Sequence, residues 1–377
     1  MDFKELGISL PIIKGLNEEK IITPTKVQEA VIGKIIENKD LIVQSETGSG
    51  KTLAYLLPLY EKLMPIEKEM KVLILVPTHE LAMQVHRQIE RLSKNSGVNV
   101  ISTTIIGDVN ITRQIEKLRE KPQIIIGTTG RIVELIKKRK ISAHTIKTIV
   151  VDEADKMLDK NNIEGVKAVI KCCMRDVQIL MFSASIAKET IKEAEKIAKN
   201  LEIVKTSESL VIPKNIDHIY FLAERRDKIE VLRKIAKSLK PKKALVFINK
   251  MSDIEEATEK LKYHNYNAAC IHGSKDKKDR EKAIQDFKTG KLQFLIATDI
   301  AARGLHIEGV TTVIHMSIPE EPMDYLHRAG RAGRGQAKGL SVSIVTKEEL
   351  IKIKSYQKAF GINITPKKMY EGKIVRD

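Results

Sequence analysis

Two short segments of this 377-residue chain hold residue types that belong together chemically. Residues 45–52 read Ser45-Glu46-Thr47-Gly48-Ser49-Gly50-Lys51-Thr52, and residues 151–155 read Val151-Asp152-Glu153-Ala154-Asp155. A glycine loop of the first kind points backbone N–H groups and one lysine at phosphates. The acidic segment supplies what the loop lacks, with Asp152 to help hold Mg²⁺ and Glu153 to aim a water. Lys51 is expected to reach the β and γ phosphates, and the Thr52 hydroxyl to ligate Mg²⁺. Ser45 stands where the simplest form of the loop has glycine, and a small residue still fits. The two segments predict a hydrolase of ATP or GTP with Mg²⁺. Lys51, Asp152 and Glu153 are its catalytic residues, and Thr47, Gly48, Ser49, Gly50, Lys51 and Thr52 surround the phosphates.

Such residues need strand ends to hold them. Leu41–Gln44 is a short apolar run leading straight into the loop, and Thr52 opens a helix whose N-terminal dipole faces the phosphates. Similar runs recur at Val72–Val76, Ile124–Gly127, Thr148–Asp152 and Ile179–Phe182, then at Ala244–Ile248, Ala268–His272, Phe294–Thr298, Val313–Met316 and Ser341–Val345. Runs this short and β-branched, separated by longer amphipathic stretches, read as buried parallel strands of α/β domains. The motifs fall at their ends, where open α/β sheets place ligands. Thr206 to Asn215 is polar, contains Pro213 and follows no period, which marks a linker. The expected organisation is a domain over 1–207, a linker over 208–215 and a second domain over 216–377.

Composition narrows the partners. The apolar share is 42% and the charged share 31%, which is globular. No apolar run is long enough to span a membrane and no basic-then-apolar leader follows Met1, so a cytoplasmic protein is expected. Cys172, Cys173 and Cys270 lack the spacing of a metal site or a disulfide framework. Net charge is +17. Residues 1–210 carry +5 (33 Lys and Arg against 28 Asp and Glu) and residues 211–377 carry +12 (33 against 21). That excess favours a polyanion, and the 4% aromatic content without tryptophan favours grip on a nucleic-acid backbone over stacking on bases.

Further strings stand at the predicted strand ends. They are Pro24-Thr25-Lys26-Val27-Gln28, with Phe3 upstream, then Pro77-Thr78-His79-Glu80-Leu81-Ala82, Thr128-Thr129-Gly130-Arg131 and Ser183-Ala184-Ser185. In the second half come Phe247-Ile248-Asn249, His272-Gly273, the stretch from Ala297 through Thr298, Asp299 and Gly304 to Leu305, and His327-Arg328-Ala329-Gly330-Arg331-Ala332-Gly333-Arg334. In these motifs and their order, from Phe3 to about Val345, the chain resembles the DEAD-box ATP-dependent RNA helicases of superfamily 2, in a short form of bacterial type.

The resemblance implies two tandem RecA-like domains, each a mostly parallel sheet with helices on both faces, and an enzyme coupling RNA-stimulated ATP hydrolysis to local, non-processive unwinding. Gln28 fits ATP over GTP, because one amide can donate to N7 and accept from N6 of adenine. By the same resemblance Phe3, Ile21, Thr23, Gly304 and His306 also belong to the ATP site. Pro77, Thr78, Gly107, Thr129, Gly130, Arg131, His272, Gly273, Thr298 and Asp299 belong to an RNA backbone site. Asp155, Ser183, Ser185 and Arg328 couple the domains, with His327 joining the acidic motif to domain 2. Arg331 and Arg334 bring planar, permanently charged forks to the triphosphate from domain 2. The expected protein is a monomer in the cytoplasm, with ribosomal or other RNA–protein components as candidate partners. The alternatives are an ATP-gated RNA clamp with little unwinding and a DNA-directed superfamily 2 helicase.

Several positions depart from the family pattern. His306 replaces an aspartate that contacts ribose, and Ile21 an aromatic that stacks on adenine. Asp108 replaces the second glycine of a Gly-Gly element, His79 an arginine and Thr129 a proline; the extra carboxylate and the missing guanidinium both disfavour phosphate. Asp108 has a second reading as the cap of a helix over Ile111 to Leu118.

Overall fold

A computed structural model describes the chain apart from residues 47, 65–67, 108–109, 207–214, 274–275, 303–306, 308 and 334–336, and apart from the side chains of 277 and 300. The chain divides into two compact units, Met1–Glu208 and Ser209–Asp377. The predicted linker falls largely outside the described residues.

In the first unit the strands are β1 (Leu41–Gln44), β2 (Val72–Leu75), β3 (Ser102–Ile105), β4 (Ile124–Gly127), β5 (Thr148–Asp152), β6 (Gln178–Ser183) and β7 (Glu202–Lys205). They form one sheet ordered β3-β4-β2-β5-β6-β1-β7, and every pairing is parallel. Successive strand residues point to opposite faces. Leu41 and Val43 join one core while Ile42 joins the other, and Ile124 and Ile126 likewise oppose Ile125. A sheet apolar on both faces must be covered on both, and helices cover it.

The second unit repeats the plan with β8 (Ile216–Leu222), β9 (Ala244–Phe247), β10 (Ala268–Ile271), β11 (Phe294–Ala297), β12 (Thr312–His315), β13 (Gly339–Val345), β14 (Thr365–Tyr370) and β15 (Lys373–Arg376). Their order is β10-β11-β9-β12-β13-β8-β14-β15, parallel throughout except that β15 folds back antiparallel on β14. The outermost strands of the two sheets, β3, β7, β10 and β15, are each four residues long. The tail after Val345 adds a helix, Leu350–Phe360, and the β14–β15 hairpin to this unit.

The helix suggested over Ile111 to Leu118 runs Ile111–Arg119, and its cap corrects one expectation. Asn110 is the N-cap and accepts from the Thr112 N–H at 2.8 Å, so the capping role does not fall to Asp108. Among the described residues no helix is long and apolar enough to cross a membrane.

Candidate functional site

Strand order assembles the first unit's site. Both β1, which leads into the glycine loop, and β5, which ends in Asp152, lie beside β6, so the loop and the acidic motif are about 10 Å apart across one strand. The Ser45 N–H donates to the Ser183 carbonyl at 3.0 Å, stitching the loop to the end of β6. Ser45 uses its hydroxyl as well, donating to the Ser49 hydroxyl at 2.7 Å across the loop. Gly48 and Gly50 take φ of 82° and 90°, a region open to glycine. Gly50 has a second reason to be glycine, since a Cβ there would stand 2.7 Å from the Gln28 amide nitrogen.

Gln28 explains that contact. It is buried at the third position of the helix Lys26–Ile36, where its Oε1 accepts from the Thr25 N–H at 2.9 Å as half of a capping box. Its Nε2 donates to the Gly50 carbonyl at 3.2 Å. Thr25 therefore caps this helix, and Gln28 joins the cap to the phosphate loop while one amide hydrogen and one lone pair remain for a base. Thr23 is exposed and Ile21 half-buried against the core. Phe3 is 2% exposed and packs in the same core cluster as Val27 and Val31.

Lys51 opens the helix Lys51–Leu63, and its Nζ donates to the Ser45 and Glu46 carbonyls, both at 2.6 Å. Burial pulls its pKa down to about 8 against the opposing pull of Asp152. Burial pushes Asp152 up to about 6, with Glu153 adding and Lys51 opposing. Both oxygens of Asp152 are held: Oδ2 accepts from the Tyr55 hydroxyl at 3.0 Å and Oδ1 from the Glu153 N–H at 2.9 Å. Glu153 adopts a left-handed backbone at φ 50°, a conformation a glutamate keeps only where its surroundings enforce it. Its carboxylate pairs with Lys156 at 2.8 Å.

Asp155 turns toward the end of β6. Its N–H donates to the Ser183 hydroxyl at 3.3 Å, and the Ser185 hydroxyl donates to its carboxylate at 3.5 Å. Sequence reasoning missed Tyr55 and Lys156. Their signals are spacing, four residues beyond Lys51 and three beyond Glu153, which put each on the same helical face as its neighbour.

The same end of the sheet carries the segments assigned to RNA. Thr78 caps the helix His79–Ser96 by accepting from the Leu81 N–H at 3.2 Å, and Pro77 before it is half-buried. A Cβ on Gly107 would meet the His79 ring at 3.6 Å, so the Gly107 element and the His79 segment are neighbours. Thr129 lies against Gly165, Gly130 faces open space, and Arg131 pairs with Glu134 at 3.0 Å.

In the second unit Arg328 is buried at 3% exposure and binds Asp299 through two guanidinium nitrogens, Nε at 2.6 Å. Its Nη1 donates to the Ser317 carbonyl, and its Cζ lies 4.9 Å from the Phe247 ring centre. Arg328 is thus a brace tying the segments at Phe247, Asp299 and His327 together inside this unit, and Asp299 spends its carboxylate on it. Thr298 accepts from the Ala301 N–H at 3.1 Å. His272 is buried, while Gly273 is exposed with open space before its Cα. His327 lies half-buried on the helix Pro322–Ala329, and Arg331 half-buried just after it. Thr47, Asp108, Gly304, His306 and Arg334 lie outside the described residues.

The donor set fits a magnesium nucleotide. Among the described residues no group of three or more His, Cys, Asp or Glu forms a metal cage. One hydroxyl and one carboxylate beside a phosphate loop is what Mg²⁺ accepts, since it keeps several waters and binds phosphate oxygens.

Residues 25–194 match the DEAD/DEAH box helicase family and residues 227–336 the helicase conserved C-terminal domain. The chain is 40% identical to the DEAD-box ATP-dependent RNA helicase CshC of Bacillus cereus over 93% of its length and 89% of that protein. It belongs to the DEAD-box RNA helicases. It is accordingly an enzyme, an RNA-dependent ATPase of the helicase class. The probable ATP-dependent RNA helicase YfmL of Bacillus subtilis is 39% identical over 93% of this chain and 92% of its own. The fold resembles that of S. cerevisiae Dbp5 bound to RNA and ADP BeF3, with a TM-score of 0.87 at 28% identity over 97% of this chain and 95% of that one. The family also accounts for the two parallel sheets, which are RecA-like.

Proposed function

We propose that the chain uses RNA-stimulated ATP hydrolysis for local, non-processive separation of RNA duplexes, and through it for remodelling RNA–protein assemblies such as ribosomal particles. The observation that supports this best is the tie from Asp155 to Ser183 and Ser185, because it links the hydrolytic motif to the strand end through which the family couples hydrolysis to domain closure. Gln28 reads the adenine edge. Lys51 leaves the loop carbonyls for the β and γ phosphates, and Glu153 orients the attacking water. Thr52 and Asp152 would hold Mg²⁺, which would supply positive charge to the phosphate oxygens. Arg331 and Arg334 place positive charge beside the negative charge carried by the transferring group. Thr78, Gly107, Thr129, Gly130, Arg131, His272, Gly273 and Thr298 hold the RNA backbone, and the enzyme works as a cytoplasmic monomer.

The test is strand displacement. With ATP, a labelled strand should leave a short RNA duplex, and the rate should fall steeply as the duplex lengthens. ATP-dependent retention of single strands without displacement would make the protein a clamp. Equal stimulation of ATPase by DNA would move it to another branch of the superfamily.

A further inference from the structure

Tyr55 lies one helical turn beyond Lys51 and is fully buried. Its hydroxyl donates to Asp152 Oδ2 at 3.0 Å. This phenol therefore holds the carboxylate assigned to Mg²⁺ in the proposed function, and the inference rests on that assignment. We infer that Tyr55 is a positioning residue for the divalent cation, holding the Asp152 carboxylate in the orientation in which a free lone pair meets the metal.

Hydrogen-bond accounting supports this. A phenol has one proton to give, and here it goes to Asp152. Asp152 receives Tyr55 on one oxygen and the Glu153 N–H on the other, which fixes the carboxylate plane and leaves each oxygen further acceptor capacity. The ring is seated against Phe182, with centroids 5.2 Å apart and planes inclined by 58°. Phenylalanine would preserve that seat and remove the hydroxyl alone.

Outer-sphere partners of this kind typically change metal affinity by about 10–100-fold when lost. In the full chain, a fluorescent ATP analogue with a non-hydrolysable β–γ bridge is titrated at a series of Mg²⁺ concentrations and again in EDTA. Tyr55→Phe should raise the half-saturating Mg²⁺ about ten-fold, leave affinity in EDTA unchanged and leave the melting temperature nearly so. Combined with Asp152→Asn, it should have no further effect. An unchanged Mg²⁺ requirement overturns the inference, as does an equal loss of affinity with and without Mg²⁺, which would make Tyr55 a packing residue. If the unmodified protein binds the analogue equally well with and without Mg²⁺, the assignment of Thr52 and Asp152 fails and the inference falls with it.

Discussion

Glu153 is the one carboxylate assigned to aim a water, and its left-handed backbone and its pairing with Lys156 both fix its direction. Glu153→Gln keeps the shape and removes the charge, so turnover should fall by about two orders of magnitude or more while ATP binding persists. Steady-state turnover beside an equilibrium titration of nucleotide checks both halves. The site was legible in the sequence wherever a residue's role is local, as in the glycine loop and the acidic motif. It was illegible where the role is a contact. Nothing in Pro24-Thr25-Lys26-Val27-Gln28 announces that Gln28 also grips Gly50, and nothing in the string around Arg328 announces Asp299. Asp108 is a residue where sequence and structure combine, because the helix it was a candidate to cap is capped by Asn110. Asp108→Gly should therefore tighten single-stranded RNA binding several-fold in the ATP-bound state. A carboxylate near phosphate costs only about 1 kcal/mol at high dielectric, and the gain should shrink as salt rises. Titrations at two salt concentrations decide it, and an unchanged affinity at both removes Asp108 from the RNA path.

Among elements, the strands buried on both faces were legible as apolar runs, give or take a residue or two at the ends. The ones missed are polar or lie toward a sheet edge. Ser102–Ile105 and Glu202–Lys205 are half-exposed in alternation and β14 and β15 are rich in lysine and arginine, so no apolar run marks them. β8 was missed because it carries Asp217 and His218, yet His218 is buried. Its Nδ1 lies 2.7 Å from the Tyr325 hydroxyl, which contacts Ser341 at 3.2 Å, and Ser341 meets His315 Nε2 at 3.0 Å. Burial lowers the His218 pKa from 6.5 to about 4 despite Asp217, and holds His315 well below 6.5 with Arg328 and His218 adding to the effect. The unfolded chain takes up protons that the folded one refuses. Stability from these groups is therefore full above pH 6.5 and is lost as pH falls below it, by about 1.4 kcal/mol per pH unit for each histidine. Urea unfolding of the second unit's transition at several pH values should show this slope, and His218→Asn should flatten it. Parallel profiles for variant and unmodified protein would assign the acid sensitivity to other groups.

At the scale of the whole molecule, the proposal that hydrolysis draws on both units predicts a division of labour. Arg331→Ala should abolish RNA-stimulated turnover while nucleotide affinity, set by Gln28 and the glycine loop, stays within a few-fold. RNA-stimulated ATPase that survives the substitution would leave the first unit self-sufficient. The four-residue outer strands of the two sheets bear on a different property, the chain's behaviour in a crowded solution. Each sheet ends in a row of unpaired backbone groups, and such rows invite a neighbouring molecule to add a strand. A four-residue edge offers few such bonds, and β15, the last strand of the second sheet, also presents Lys373 and Arg376, whose like charges repel a second copy. Brevity and charge at these margins act against fibril-like association, so the same edges that hid from the apolar pattern keep two large sheets from joining into a longer one.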